Sequence, residues 1–469
     1  MVRQGVQPGE RVAVLSRSSW ETVVMLVTSL RSGFVYVPIN PGYQEDELQH
    51  VLDDSGASVL FVDGFDGASS DVLARVRRPM DLRLVIMAGE EASPLPVPQQ
   101  TLTSLLRDAP DNADAAALPG DDDLAMLIYT SGTTGRSKGC MHTYRSLDAG
   151  ISALMQLWQV SPSDHVVNAL PLFHVHGLCV AMLGALQSGA TVELLRFSAE
   201  GVLDACARGG TVFMSVPTMV TRILALLDKH PSAASAFLAT RLFTCGSAAL
   251  FGADLLEFEG RTGLRILERY GMSESLITLS NPLDGERREG TVGRPVPGTD
   301  IRVVDDELQV AAPGLMQGYW QRPAQDAEVL AVDPDGRRWL RTGDIVRVDD
   351  DGYVRIVGRA SQDILKVAGY KLSTREIEEA LATHPAVADV AVVGVLDAEW
   401  GERVVACVVP APSWTGPLDD RLLADLQRHV RLQEAKKPRG LHVVDALPRN
   451  ALGKVQKHVL KEQLKGRSV

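Results

Sequence analysis

The sequence predicts an α/β protein: a large layered N-terminal α/β domain over residues 1–358 and a small C-terminal α+β domain over 359–469. Three observations carry this. The chain's 469 residues exceed what one hydrophobic core ordinarily serves. Short apolar runs alternate with helical periodicity through its first part, the rhythm of a βαβ layered domain. Beyond Arg359 the same alternation restarts on a smaller scale, over a segment long enough to fold separately.

RVAVLS (11–16), FVYVPI (34–39) and SVLFVDG (58–64) are short, apolar and rich in β-branched residues, and predict buried strands; 20–31 and 44–54 predict the helices between them. Residues 91–120, rich in Pro, Ala and Asp, predict a surface connection before a core strand at 125–129. A helix follows over 146–160, then a loop with two histidines in NALPLFHVHGL (168–178). TVFMSVP predicts a strand ahead of a helix, and RLFTCGSAAL (241–250) a strand entering a small-residue loop. RILERYGMSES (265–275) predicts a strand ending at an aromatic, a glycine, a hydroxyl and a carboxylate. IRVVD and DELQV (301–310) turn over at Asp305 and Asp306, with LQVAAPGLMQGYW read as a strand. In the small domain Ser373 and Glu376 predict a capping box opening a helix, 387–395 and 404–410 predict strands, and 418–433 a helix.

Composition narrows the function. Hydrophobic content of 45% and charged content of 23% are ordinary for a globular chain. A net charge of −12 argues against nucleic acid or an anionic membrane as partner. With no apolar run of about 18 residues and no signal-peptide pattern at the start, a cytoplasmic protein is expected. Cys140, Cys179, Cys206, Cys245 and Cys407 are scattered, without disulfide or zinc spacing. Cys140 lacks a matching base nearby and is expected to pack as a small neutral residue.

The stretch LIYTSGTTGRSKG (127–139) has the composition of a phosphate cradle. Gly132 and Gly135 let the backbone approach an anion, Thr130, Ser131, Thr133 and Thr134 offer hydroxyl donors, and Lys138 adds a positive charge. It is not the G-x-x-x-x-G-K-[ST] loop, because Ser137 stands where the second glycine belongs. The competing reading is a hydroxyl-rich surface turn.

With YGMSE, RTGD and PRNALGK following in order, this stretch closely resembles the signature loop of the adenylate-forming superfamily of acyl-CoA synthetases, luciferases and peptide-synthetase adenylation domains. Ser137 replaces that family's proline and Ser273 its threonine. The wording of ERYGMSE, LPLFHVHGL, GSAAL and GRASQDILKVAGYK is most similar to malonyl-CoA synthetases, over nearly the whole chain. The resemblance implies the adenylate-forming enzyme fold, with a mobile C-terminal lid. It implies a ligase that makes an acyl-adenylate and then an acyl-CoA thioester, using ATP, Mg²⁺ and coenzyme A; a carrier protein is the alternative acceptor. Relatives carry further residues before this start, which implies that N-terminal helices are absent or the start is misplaced.

The same resemblance implies roles. Residues Thr130 to Thr134 and Lys138 surround the phosphates, Glu274 holds Mg²⁺ and Ser273 lies near the α-phosphate. Tyr270, Gly271, Gly246, Ser247 and Ala248 line the adenine site, and Asp344 accepts the ribose hydroxyls. Lys454 reaches the reacting oxygens. Arg359 opens the hinge, placed at 359–362, and Lys366 with Gly369 belongs to the lid face presented for thioester formation. His174 stands at the mouth of the acyl tunnel, with His176 beside it and Met272 as a pocket wall. Each has a plainer alternative: a satisfied histidine, a tight turn, a hairpin aspartate, a solvated lysine.

Arg269, immediately before Tyr270, is read at the pocket's edge. A dicarboxylate needs a cation for its distal carboxylate while the proximal one reacts, and a ligase for apolar acids would leave that arginine unpaired. The alternative is a structural pairing with Glu268 or Glu274. Arg222 is a second candidate. Malonate or a small substituted malonate is the expected acid; another carboxylate or oxyanion, and a non-enzymatic binding module, are the other readings.

Overall fold

A computed structural model describes residues 1, 5–63, 67–77, 79–89, 93–108, 118–130, 136–248, 250–367, 370–397, 400–430, 432–449 and 453–465. The first sheet contains β1 (Arg11–Leu15), β2 (Val35–Ile39), β3 (Val59–Val62), β4 (Leu84–Met87), β5 (Gln99–Thr101), β6 (Leu124–Thr130) and β7 (Lys138–Thr143). Their order is β5-β4-β3-β1-β2-β6-β7, parallel except where β7 turns back on β6. A parallel strand covered on both faces must be apolar throughout, which is why these runs do not alternate.

The second sheet contains β8 (His165–Asn168), β9 (Thr191–Leu194), β10 (Val212–Ser215), β11 (Leu242–Cys245), β12 (Leu267–Met272), β13 (Leu276–Ser280) and β14 (Arg294–Pro295), in the order β14-β13-β12-β11-β10-β8-β9. Val14 and Tyr36 of the first sheet, Ile151 and Leu154 of the helix Tyr144–Leu157, and Phe213 and Phe243 of the second belong to one buried cluster. The helix between the sheets is therefore buried against both, and the layering expected from the sequence is present.

A third, antiparallel sheet contains β15 (Asp300–Val304), β16 (Glu307–Ala311), β17 (Leu330–Val332), β18 (Arg338–Val348) and β19 (Val354–Arg359). Asp305 and Asp306 have φ of 53° and 68°, the left-handed pair of a tight hairpin turn, which short polar side chains tolerate. The last sheet, β20 (Ile364–Val367), β21 (Tyr370–Ser373), β22 (Val387–Asp397), β23 (Gly401–Pro410) and β24 (Gly440–Val443), has its own cores around Val392 and Leu426 on one side and Cys407 and Leu460 on the other.

Several expectations need correction. The strand read over 58–64 covers only Val59–Val62, and the helix read over 418–433 only Asp420–His429. Within 91–120, Gln99–Thr101 joins the first sheet and Leu102–Arg107 is a short helix. LQVAAPGLMQGYW is a strand only as far as Ala311; its tail is a loop that bridges Cys140 through Tyr319. The capping box is half formed: Ser373 Oγ accepts from the Glu376 amide at 3.4 Å, but the Glu376 carboxylate turns to Lys436 Nζ, because the Ser373 backbone is already paired with Ile364. Among the described residues no helix is long and apolar enough to cross a membrane.

Candidate active site

Strand β12 serves both halves of the site. Successive side chains leave a strand on opposite faces, so Arg269 points one way and Tyr270 the other. Tyr270 Oη donates to Asp344 Oδ2 at 2.5 Å, while Arg269 Nη2 donates to His176 Nε2 at 2.6 Å.

On the Tyr270 face, Asp344 is buried within β18. Gly343 at φ 73° inserts a kink without ending the strand, and the register shifts just after Ile345. Arg359 grips Asp344 with both nitrogens, Nε to Oδ1 and Nη2 to Oδ2, each at 3.0 Å. A carboxylate offers about four acceptor positions, and these donors take three. Lys138 and Thr130 face each other across β6 and β7, while Ser131, Gly132, Thr133 and Thr134 lie outside the described residues. Lys138 Nζ sits 4.3 Å from the centre of the Tyr319 ring, whose hydroxyl donates to Glu274 Oε1 at 2.9 Å. Tyr319 thus ties the loop's lysine to the carboxylate at the turn after β12.

Glu274 is a single buried carboxylate; among the described residues no three potential ligands cluster. That set fits Mg²⁺, which keeps several waters and is commonly bound by one or two carboxylates plus substrate phosphates. Ser273 occupies the same turn, its carbonyl accepting from His142 Nε2 at 2.7 Å. Burial pushes His142 down to about 4, so it is a neutral donor here. Gly271 admits no side chain, since a Cβ would stand 2.1 Å from the Leu276 carbonyl.

The Arg269 face is built differently. Arg269 is 3% exposed, and among the described residues no carboxylate pairs with it and its Nε has no hydrogen-bond partner. It is therefore in the interior, not at the pocket's edge, and neither Glu268 nor Glu274 neutralises it. Glu268 leaves β12 on the Tyr270 face, where burial raises it to about 7 against the pull of Arg375 and Arg355. Desolvation lowers even the Arg269 guanidinium, to about 10. Gly246 accommodates it: a Cβ there would fall 2.6 Å from the Arg269 Cζ.

His176 opens a π-helix, His176–Leu183, instead of lying in a loop. Burial and the adjacent Arg269 hold it well below the ordinary histidine range, so its Nε2 can accept from Arg269; Nδ1 faces Ser247 Oγ at 3.5 Å. Ser247 has φ 69°, a strained conformation for a residue with a side chain, and with Ala248 it caps the exposed end of β11. His174 packs on Phe173, ring centres 4.5 Å apart, and its buried Nε2 has no partner among the described residues. Burial pushes it down to about 4. Met272 lies within reach of the Tyr270 hydroxyl, 3.9 Å from its sulfur. Arg222 is not brought to Arg269: it is exposed on the helix Pro217–Lys229, 6.0 Å from the Phe197 ring centre.

Of the two candidate lysines, one is at the site. Lys454 is lowered by burial and then by Arg359, and feels the attraction of Asp363 and Asp344. A Cβ on Gly453 would come 3.1 Å from Thr218 at the start of the helix Pro217–Lys229. Lys366 is exposed on β20, away from this cluster, and Gly369 lies outside the described residues. The cysteine beside the loop is inert: burial, then Glu274, pushes Cys140 well above the ordinary thiol range.

Sequence reasoning missed three supports. Tyr319 was hidden in a segment read as strand, although its aromatic pair with Trp320 after a Pro-Gly turn was a visible signal. His142 follows no motif. His50, on the helix Glu45–Ser55, bonds the Ser137 carbonyl at 2.8 Å, holding the chain just ahead of Lys138.

Comparison with known proteins agrees with this geometry. The AMP-binding enzyme profile matches residues 1–320, and that of the AMP-binding enzyme C-terminal domain matches 376–454. A malonate–CoA ligase of Arabidopsis thaliana is 35% identical, over 98% of this chain and 79% of its own. A sulfoacetate–CoA ligase of Cupriavidus necator is 34% identical, over 97% and 87%. Among solved structures, ATP-bound MatB from Rhodopseudomonas palustris matches with a TM-score of 0.88 and 33% identity, covering 99% of this chain and 90% of that one. The chain belongs to the AMP-binding enzyme family, as one of its AMP-forming acid–thiol ligases.

Proposed function

We propose that the protein ligates malonate, or a small substituted malonate, to coenzyme A in the cytoplasm, with the division at 358/359 separating catalytic body from lid. One malonate carboxylate attacks the α-phosphorus of ATP, pyrophosphate leaves, and the thiol of CoA then displaces AMP with loss of a proton. The observation that carries the choice of acid is Arg269, a buried cation whose Nε has no hydrogen-bond partner and which no carboxylate pairs with among the described residues. Burying a charge without a partner is costly, so the natural partner is the ligand: the distal carboxylate of the acid. His176 positions the guanidinium, and the His174 Nε2 offers a second polar contact. That one relative acts on sulfoacetate fits a pocket for short acids with a second anionic group.

Chemistry of this kind depends on positioning and charge neutralisation. The residues of the loop at 130–134, Lys138 and Ser273 would hold the phosphates, Asp344 and Arg359 the ribose, Tyr270 with 246–248 the adenine. Mg²⁺ on Glu274 would supply charge neutralisation at the phosphate oxygens. Lys454 would meet the reacting oxygens during adenylation, and Lys366 would serve the lid face used for the thioester step.

The test is AMP and pyrophosphate release with malonate, methylmalonate, acetate, a fatty acid and an aryl acid, each with and without CoA, products identified by mass. Malonyl-CoA as the dominant product is expected. AMP formed only with another acid would overturn the substrate, and acyl transfer only to a carrier protein would overturn the acceptor.

A further inference from the structure

Outside the residues discussed so far, Lys457 is the most heavily buried lysine or arginine among the described residues, 9% exposed. Its Nζ contacts Asp363 Oδ1 at 2.7 Å, Glu378 Oε1 at 2.8 Å and Thr374 Oγ1 at 2.6 Å. Those partners come from two elements. Asp363 closes the turn after β19, its other oxygen accepting from the Arg359 amide at 3.0 Å. Thr374 and Glu378 lie one turn apart on the helix Thr374–Ala382, and Glu378 also accepts from the Val392 amide of β22 at 2.7 Å. Lys457 itself begins the helix Lys457–Leu464, where the helix dipole disfavours a cation. A buried ion cluster adds little stability but fixes geometry, and here it is placed against local preference.

What it fixes is three residues from Lys454. The intervening chain is stiff: Arg449 and Val455 form a bridge, the Gln456 amide bonds the Pro448 carbonyl at 2.8 Å, and Arg449 Nη1 holds the Gly453 carbonyl at 2.6 Å. A displacement of Lys457 is thus passed to Lys454. We propose that Lys457 is a positioning residue that couples the Arg359–Asp363 turn to the Lys454 loop, so that Lys454 arrives in register with the nucleotide site only while this ion cluster is intact. This rests on the role given to Lys454 above.

The two half-reactions test it. In Lys457→Met, malonate-dependent exchange of pyrophosphate into ATP should fall about tenfold to a hundredfold, the scale of a small misplacement, while thioester formation from supplied malonyl-AMP changes by less than about threefold. Lys457→Arg should restore exchange. Asp363→Asn, close in shape and expected to fold, should reproduce the selective loss, whereas Glu378→Gln, which keeps the tie to the turn, should not. Equal loss of both half-reactions in Lys457→Met and Asp363→Asn, or loss in neither, overturns the proposal. Lys454→Ala, run alongside, separates the two readings. If it loses adenylation alone while Lys457→Met does not, only the coupling is wrong; if it loses both steps equally, the role of Lys454 is wrong and the coupling falls with it.

Discussion

The two faces of β12 hold charge in opposite ways. On the Tyr270 face, Asp344 is gripped by Arg359 and Tyr270, and Glu274 by Tyr319, so these carboxylates have protein donors before any ligand arrives. On the Arg269 face the cation has a neutral imidazole for company, and its Nε has no partner among the described residues. If the proposed roles hold, nucleotide binding would be an exchange of partners, whereas acid binding would satisfy a deficit and so select for anions.

Substitutions should break this contrast in opposite directions. Arg269→Met removes an uncompensated charge while keeping most of its volume. kcat/KM for malonate should fall about a thousandfold, the scale of leaving a buried carboxylate unpartnered, yet the thermal midpoint of the free protein should rise. A lower midpoint would mean that the guanidinium is compensated after all. Asp344→Asn does the reverse: it strands Arg359, so the midpoint should drop, and KM for ATP should rise about tenfold or more. Equal midpoints for these two variants would erase the distinction drawn here.

Smaller effects sharpen it. Tyr319→Phe deletes one hydrogen bond to Glu274 and keeps the ring beneath Lys138, so adenylation should slow about tenfold at most, with a larger Mg²⁺ requirement. Unchanged Mg²⁺ dependence would show that the hydroxyl does not orient Glu274. Smallest is the pH response of His142. Unfolded, an imidazole binds a proton below about 6.5; folded, His142 does so only near 4. Its share of stability is complete above 6.5 and is lost as pH falls from 6.5 towards 4. Glu268, raised to about 7, has the opposite slope, contributing less as pH rises from its unfolded range. Melting curves of His142→Asn across pH 4 to 7 should therefore lose part of the acid-side decline, and identical profiles would refute the assignment.

Much of this was legible from residue order. Buried parallel strands advertise themselves as apolar runs, and the motifs around Lys138, Glu274, Asp344 and Lys454 are contiguous, so the fold and these candidate groups could be read in sequence. Arg269 was legible as a residue but not in its setting, because burial depends on β11 and the π-helix, which arrive from distant segments. His142, His50 and Lys457 were not legible, since each acts on a partner far along the chain, and Tyr319 showed only as an aromatic pair with Trp320 whose partners the sequence does not name. Arg222 was singled out from residue type alone, and only the fold reveals its distance from Arg269.

The Arg359 grip on Asp344 has a thermodynamic corollary. Arg359 is the last residue of β19, so the chain's path into the C-terminal sheet starts at its pairing with Asp344, the carboxylate proposed to hold the ribose. Whatever draws hydrogen bonds from Asp344 weakens that grip, and reciprocity demands that releasing the grip change nucleotide affinity by the same factor. Domain rotation and AMP departure would then be two readings of one coupling energy, written into a single aspartate.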